Sequence, residues 1–440
     1  MVSKVGLFLV AVLSYNAFGV QAAVINADPN NYKSLLSTLQ PGDTMQLAPG
    51  KYDRLYLNGL NGNANAWITI AGPASGDQAV ILGQPDHNTV EIVNCSFLAL
   101  KSLLINSKHI DGAFGVSAKG GLSNLTHDIL LEGNTFVGMG SGQQTVAIST
   151  KTPTWGWIIR GNTIIGAGTG LYLGNSDGSA PFVAGLIENN LIKNTIGYNM
   201  QIKFQLPRPE VSGMPTGPSS TIIRNNTFVK NDRPSPDGDR PNLLVGGFPD
   251  SGSGSNDLYE IYGNLFDHNP REALLQASGR VTIHDNIFVD GEYTALTLRN
   301  QDLPLKLALV YNNTVYTSQT GISIGSLALD GDAVVGNLVF AARPISGTIV
   351  NQSDNLVDTL ENAVNYVNKP SFELGQMDFY PLPGKCSGSA IDLTGFSTNV
   401  AYDQDFNGMP KDTGSGVIFR GAYAGEGTNP GWQLQLGIKP

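Results

Sequence analysis

Eight segments in the middle of the chain repeat one short pattern: an apolar strand, a turn that ends in asparagine, and a second apolar pair. Residues 129–136 read ILLEGNTF, and residues 157–164 read WIIRGNTI. The eight asparagines are Asn134, Asn162, Asn190, Asn226, Asn264, Asn286, Asn313 and Asn337, and successive ones are 22 to 38 residues apart. Short strands at such intervals, with no helical period, predict an all-β solenoid with one coil per repeat.

The turn asparagine admits two interpretations. Its side chain tolerates left-handed backbone geometry, and its amide can hydrogen-bond to the identical residue in the next coil. Stacked amides would then form a ladder. The other interpretation is a strip of ligand contacts, and we favour the ladder.

Both ends of the repeat region are expected to be capped, as a solenoid requires. Tyr32, Leu35, Leu36 and Leu39 share one face of a short helix that can cover the first coil. We therefore expect the solenoid and its amino-terminal cap over residues 23–350. Residues 351–440 are rich in glycine and turn signals, which predicts a tail packed along the solenoid.

The first 22 residues have the features of a secretory signal peptide. Lys4 precedes an apolar run over residues 5–13, and small residues precede position 22. No later stretch approaches the roughly 18 apolar residues that a membrane span needs. We therefore expect a secreted or periplasmic monomer with no membrane span. Cys95 and Cys386 lack metal-ligand spacing and are expected to be buried free thiols, with a disulfide as the alternative.

The charge balance restricts the possible partners. The chain has 26 basic and 36 acidic residues, a net charge of -10, which argues against nucleic-acid binding. An acidic partner would need a local cluster of cations. Residues 193–271 contain eight lysines and arginines against eight acidic residues, so this segment is neutral within an acidic chain. It also contains the two longest repeats, whose loops over 204–220, 229–241 and 249–257 can wall a cleft.

The chain resembles exported right-handed parallel β-helix proteins of the pectate-lyase type. The resemblance is carried by PGD at 41–43, PGKY at 49–52, the asparagine turns, DFNGMPK at 405–411 and RGAY at 420–423. It implies the right-handed parallel β-helix as the fold. It does not imply one activity, because this scaffold carries lyases, hydrolases, epimerases and adhesins.

Candidate site residues follow from the alternation of side chains along a strand that lies nine or ten residues after the turn asparagine. Its apolar residues point inward, so Tyr172, Gln201, Lys203 and Arg299 face outward. A groove of this kind suits an acidic polysaccharide. Cleaving a uronide by β-elimination needs a base for the C5 proton, a cation at the carboxylate and a donor for the leaving oxygen. We predict a lyase with Lys203, Arg299 and Arg208 as catalytic residues, and with substrate-binding residues Gln201, Tyr172, Tyr198, Arg240 and Arg271.

A second resemblance concerns residues 242–299, which are similar to the matching coils of polysaccharide lyase family six, the family of chondroitinase B and alginate lyases. REALLQASG at 271–279 and LRNQD at 298–302 carry it. The resemblance implies Glu272 as a Ca²⁺ ligand and Arg299 as a catalytic residue. The chain departs from the family at Leu274, where a second glutamate is expected, and at Gly279, where the catalytic lysine is expected.

Three further considerations leave the function open. Lys203 and Arg299 lie three strands apart, about 14 Å at 4.8 Å per strand, so we expect a site centred on one or the other. A glycoside hydrolase would need clustered carboxylates; Asp232, Asp237 and Asp239 are close in sequence but lie in a proline-rich loop. The main alternative to a lyase is a non-catalytic glycan-binding or structural protein, which the substitutions at 274 and 279 favour.

Overall fold

The computed structural model describes residues 22–440, and it confirms the predicted parallel β-helix. Each coil contributes one strand to each of three parallel sheets, which in chain order within a coil we call the first, second and third sheets. The predicted signal peptide lies, except for residue 22, outside the described residues. No helix in residues 22–440 is long and apolar enough to cross a membrane.

The three sheets contain 13, 12 and 11 strands within the described chain. The first sheet comprises Val24–Ala27, Thr44–Leu47, Ile68–Ala71, Ser96–Lys101, His127–Glu132, Ile158–Arg160, Leu186–Glu188, Ser220–Arg224, Leu258–Tyr262, Gly279–His284, Leu305–Tyr311, Asp332–Val335 and Gln352–Ser353. The second comprises Gly50–Tyr52, Ala79–Leu82, Leu104–Asn106, Thr135–Val137, Thr163–Ile165, Leu191–Lys193, Thr227–Val229, Leu265–Asn269, Ile287–Gly291, Thr314–Tyr316, Leu338–Phe340 and Leu356–Asp358. The third comprises Leu55–Asn58, Val90–Val93, Val116–Lys119, Val146–Thr150, Thr169–Leu173, Met200–Ile202, Leu243–Val245, Leu275–Ala277, Thr294–Leu298, Thr320–Ile324 and Arg343–Gly347.

The remaining elements lie at the ends and in the loops. The α-helix Tyr32–Leu36 covers the first coil with Tyr32 buried. Short 3₁₀ turns occupy Gly121–Ser123, Leu360–Asn365 and Thr394–Phe396, and two-stranded pairs join Thr154–Trp155 to Phe182–Val183, Val367–Lys369 to Asp378–Pro381, and Ser387–Ile391 to Val417–Phe419. Cys95 and Cys386 are both buried and unpaired.

The core consists of inward side chains stacked coil upon coil. In the second sheet, for example, the rings of Phe228, Phe266 and Phe288 stack at centroid distances of 4.9 and 4.7 Å. Because each parallel strand places the same kind of residue above its neighbour, the apolar column is continuous along the axis.

The turn asparagines form the predicted ladder between the first and second sheets. The side-chain Nδ2 of Asn226 donates to Oδ1 of Asn264 at 3.0 Å, and Asn264 donates in the same way to Asn286 at 2.9 Å. The backbone amide of each rung also donates to the next Oδ1, at 2.9 Å for Asn226 and 3.0 Å for Asn264. Asn355, which the repeat pattern did not single out, receives the same bonds from Asn337.

The left-handed geometry belongs to the residue before each ladder asparagine, and not to the asparagine itself as the sequence suggested. That preceding residue has φ between 49° and 65° in all nine turns: Gly133, Gly161, Asn189, Asn225, Gly263, Asp285, Asn312, Gly336 and Asp354. Glycine, asparagine and aspartate are the residue types that tolerate this region best. The ladder asparagine is therefore selected by its amide hydrogen bonds.

The segment after the last parallel strand, Leu356–Asp358, packs against these turns. The ammonium of Lys411 contacts Asp285 at 2.7 Å, and that of Lys439 donates to Asn225 Oδ1 at 3.0 Å and to the carbonyl of Gly263 at 2.8 Å. Phe396 continues an outer stack of the rings of Tyr262, His284 and Tyr311. The tail thus covers the outside of the asparagine turns and leaves the third sheet uncovered by these contacts.

Asp267 is a buried carboxylate on the outside of the second sheet, and it predicts a pH dependence of stability. It lies in register between Val229 and Val289, and burial, with the charge of Asp290, raises its pKa to about 7. A folded-state pKa above the ordinary value of about 3.9 means that the stability from this group is complete below about pH 4 and is lost as the pH rises through 7. Asp267→Asn should therefore raise the melting temperature at pH 8 and change it little at pH 4, measured by circular dichroism. The exposed Asp77→Asn is the control, and an equal shift at both pH values would contradict the assignment.

Candidate active site

One row of positions at the carboxyl ends of the third-sheet strands contains two of the three predicted catalytic residues, Lys203 and Arg299. Met200 and Ile202 are fully buried, so the alternation leaves Gln201 and Lys203 on the outer side. The in-register hydrogen bonding continues one residue beyond the strands. Backbone amides of the row donate to carbonyls of the preceding coil at 2.9 to 3.1 Å: Lys203 to Leu173, Gly246 to Ile202, Ser278 to Val245, and Arg299 to Ala277.

Lys203 and Arg299 line a single cleft of about 340 Å³. Their strands are three steps apart, as the sequence predicts. The two positions between them in the row are Gly246, which has no side chain, and Ser278, which is small and fully buried. Lys203 and Arg299 nevertheless border the same cavity, which is lined between their strands by Leu244 and Gln276, the in-register partners of Gln201. Its other lining residues are Tyr198, Gln201, Leu244, Gln276, Asn300, Gln301 and Asp302.

A second cavity of about 190 Å³ extends this cleft toward the earlier coils. Tyr198, Gln201 and Lys203 line both cavities, so the two form one continuous groove. The additional residues of the second cavity are Gln143, Gln144, Thr169, Tyr172 and Arg240. Five of the predicted site residues therefore line this second cavity together: Tyr172, Tyr198, Gln201, Lys203 and Arg240.

The groove is cationic. Within residues 22–440, no carboxylate oxygen lies within 4.0 Å of the charged nitrogens of Lys203, Arg240 or Arg299. Asp302 is the one carboxylate among the described lining residues. The guanidinium of Arg240 lies 5.6 Å from the ring centroid of Tyr198. Burial raises the pKa of Tyr198, although the charge of Arg240 opposes the shift, so its phenol is a proton donor at neutral pH.

The loop over residues 229–241 walls one side of the groove, as the sequence predicts. It reaches back to an earlier coil, where the side-chain amide of Gln143 donates to Gly238 O at 2.8 Å and accepts from Asp237 N at 3.0 Å. Ser235 Oγ donates to Ile196 O at 2.5 Å. These bonds hold the loop across the coils and place Arg240 over Tyr198.

Arg208 is not brought into the groove. Its side chain is 2% exposed and forms an ion pair with Asp257, and its Nη1 donates to Pro215 O at 2.5 Å and to Gly217 O at 3.1 Å. The arginine joins the loops over 204–220 and 249–257. Its contacts are those of a loop anchor, because the buried guanidinium is paired with Asp257 and with loop carbonyls and borders neither cavity of the groove.

Arg271 and Glu272 also lie outside the linings of both cavities. They occupy the corner before Leu275–Ala277, where their backbone amides donate to Asn269 Oδ1 at 3.1 and 3.0 Å. Glu272 Oε1 accepts from the backbone amide of Ala273 at 2.9 Å. The structure therefore separates these two predicted residues from Lys203 and Arg299.

Comparison with known proteins identifies the fold. A family model described as the right-handed beta helix region matches residues 146–358. The chain has the right-handed parallel β-helix fold. No curated protein has a matching sequence.

Among solved structures, the β-helix protein is similar to the PL6 family alginate lyase AlyGC, with a TM-score of 0.51 and 14% sequence identity. The match covers 76% of this chain and 51% of the lyase, so the chain spans about half the length of that enzyme. The GH136 lacto-N-biosidase from Eubacterium ramulus has a TM-score of 0.49 at 11% identity, covering 73% of this chain and 63% of that one. The mannuronan C-5 epimerase AlgE6 A-module from Azotobacter vinelandii has 0.48 at 16% identity, covering 75% and 94%. At 14% identity the likeness to AlyGC supports the fold alone.

The residues of this β-helix protein do not fit the Ca²⁺ site that the lyase-family resemblance implies. Leu274 is fully buried in the core, and Glu272 is engaged with the adjacent backbone. In the described part of the chain, no group of three His, Cys, Asp or Glu residues is placed to hold a metal ion. The family's lysine would be strained at position 279 in this backbone, because the φ of Gly279 is +76° and a Cβ would lie 3.0 Å from Gly247 Cα.

Several groove residues were missed at the sequence level. Gln276 faces outward in the same way as Gln201, because the residues on either side of it in the strand, Leu275 and Ala277, point into the core. That alternation is the signal that could have identified it. Gln143 and Asp302 come from loops, whose side-chain directions no periodicity predicts.

Proposed function

We propose that this protein is an exported, polysaccharide-active β-helix protein that cleaves a uronate-containing polysaccharide by β-elimination. The observation that carries the proposal is the single groove in which Lys203, Arg240 and Arg299 have no carboxylate partner among the described residues and in which Tyr198 stays protonated. A polymer with one carboxylate per sugar supplies the missing negative charge. The near absence of carboxylates in the lining opposes a hydrolase, whose mechanism needs a pair of them.

The proposed chemistry divides three tasks among these residues. The side-chain nitrogen of Lys203 accepts the C5 proton, and Arg299 neutralises the adjacent carboxylate so that the carbanion-like transition state is stabilised. Electrons of the broken C5–H bond form the C4–C5 double bond as the C4–O bond breaks. Tyr198 gives its proton to the leaving oxygen. No metal ion takes part in this scheme, because the residues for one do not converge.

The alternative is a glycan-binding protein without catalysis. The observation that favours it is the pair of family positions occupied by Leu274 and Gly279, where the family's glutamate would be buried in the apolar core and its lysine would be strained. Such a protein would use the same cationic groove for affinity alone.

One experiment separates the two functions. The protein is incubated with alginate, pectate, chondroitin and hyaluronan, and the ultraviolet absorbance of the unsaturated uronide product is followed while binding is measured by calorimetry. We expect an increase in absorbance with at least one polymer. Binding without any absorbance change would favour the glycan-binding protein, and neither binding nor product would contradict both.

A further inference from the structure

The cationic row of the groove continues beyond Lys203 toward the beginning of the chain. On successive third-sheet strands, Ala118 pairs with Thr150, Thr150 with Leu173, and Leu173 with Ile202. The residues that follow these four positions are Lys119, Lys151, Gly174 and Lys203. Because the strands are in register, these residues form one row, in which two lysines lie side by side on adjacent coils.

Neither lysine is neutralised by the protein. Within residues 22–440, no carboxylate oxygen lies within 4.0 Å of the ammonium of Lys119 or Lys151. Glu91, on the strand before Lys119, stands in the neighbouring row opposite Ser117 and accepts a hydrogen bond from Asn88 at 3.1 Å. Two like charges on adjacent strands disfavour each other, so the pair is a site where an anion would bind favourably.

Lys151 is exposed, and two aromatic rings lie beside its ammonium group. Its ammonium lies 5.4 Å from the ring centroid of Phe114 and 5.2 Å from that of Tyr172. Cation–π contacts of this length orient the charge over the groove face. Partial burial and the charge of Lys119 lower the pKa of Lys151, which agrees with a crowded cationic environment.

The lysine pair is continuous with the groove through Tyr172, which touches Lys151 and lines the 190 Å³ cavity. From the strand of Lys119 to that of Arg299 there are six strand steps, about 29 Å at 4.8 Å per step. A single sugar cannot contact both ends of such a row.

We propose that Lys119 and Lys151 form a second anion-binding subsite, which holds a carboxylate of the polysaccharide several sugars away from the cleft between Lys203 and Arg299. This inference rests on the proposed function and deepens it. It makes the ligand an extended acidic chain lying along the third sheet, parallel to the solenoid axis. Short oligosaccharides would fill the cleft without reaching the lysine pair.

The test compares long and short ligands in the full-length protein. The double variant Lys119→Ala/Lys151→Ala is matched by the control Lys51→Ala/Lys193→Ala, which removes the same charge from the second sheet. Dissociation constants are measured by calorimetry for uronate disaccharides and for polymers of the best ligand, at several salt concentrations. We expect the double variant to weaken polymer binding about tenfold, the effect of two lost charge-assisted contacts, with a shallower salt dependence. Its disaccharide affinity and the control variant's affinities should equal those of the wild type.

Two results would overturn the inference in different ways. A double variant that binds the polymer as tightly as the wild type, or that loses disaccharide and polymer affinity equally, contradicts the subsite alone. A wild-type protein that binds none of the acidic polymers contradicts the proposed function, and the subsite with it.

Discussion

Lys203→Ala should reduce turnover of the acidic polymer by at least about a hundredfold, the usual effect of removing a general base, without changing the melting temperature. The side chain lies on the groove surface and has no partner carboxylate, so its loss costs little folding free energy. Arg299→Ala should have a comparable effect, because both residues border one cleft. The measurements are the rate of unsaturated-uronide formation and the thermal unfolding curve.

The double variant decides whether the two residues act together. If Lys203 and Arg299 serve one reaction, Lys203→Ala/Arg299→Ala should be hardly slower than either single variant, because residues that act as a unit have non-additive effects. If instead the rate losses of the two single variants multiply in the double variant, Lys203 and Arg299 belong to two separate sites.

Arg208→Ala provides the contrast: it should lower the melting temperature, because it leaves Asp257 buried without its partner. Arg343→Ala, a change at an exposed arginine on the strand Arg343–Gly347 outside the groove lining, is the neutral control. If Lys203→Ala and Arg299→Ala both cleave the polymer at the wild-type rate, the reaction takes place outside this groove.

Asn264→Ala should lower the free energy of unfolding by about 2–4 kcal/mol, since an unsatisfied buried polar group costs about 1–3 kcal/mol and more than one is created. Asn264 Oδ1 accepts from the backbone and side chain of Asn226. Its Nδ2 donates to the carbonyls of Ile223 and Tyr262 at 2.8 and 3.0 Å and to Asn286 Oδ1. Alanine removes all of these bonds inside the wall of the solenoid.

Chemical denaturation measures this loss, with the exposed Asn65→Ala as control. The control should stay within about 0.5 kcal/mol of the wild type, as surface substitutions usually do. Equal stability of Asn264→Ala and the control would show that the ladder is not a source of stability. A loss of glycan binding at unchanged stability would instead support the ligand-strip interpretation.

The fold was predictable because its determinants recur in the sequence. The same asparagine appears in nine successive coils, and the pattern around eight of them is recognisable in the sequence, so it specifies both the strand positions and the ladder. The alternation around Met200, Ile202, Leu296 and Leu298 likewise predicted which side chains face outward, because a strand allows only two directions.

The site was predictable only where it lies on strands. Alternation along the strands correctly placed Gln201, Lys203 and Tyr172 in the groove. It could not place Arg208, because that residue lies in a loop and its side chain pairs with the buried Asp257. Lys151 was overlooked because the loops between coils differ in length, so the sequence does not show which residues of successive third-sheet strands are in register. The separation of Lys203 from Arg299 was correct in backbone terms. The cleft between them is lined by Leu244 and Gln276, which only the register of the folded coils places beside Gln201.

The asparagine turn has the same length in every one of the nine coils that carry it: two residues separate the first-sheet strand from the second-sheet strand, from Glu132 to Thr135 through Ser353 to Leu356. All variation in coil length is therefore confined to the other two corners, which border the third sheet. Insertions there can deepen, shorten or re-line the groove while the turn keeps every coil in register. The residues that hold the coils in register are therefore separate from the loops that shape the groove. An exchange of these loops can change which ligand the groove accepts without disturbing the fold.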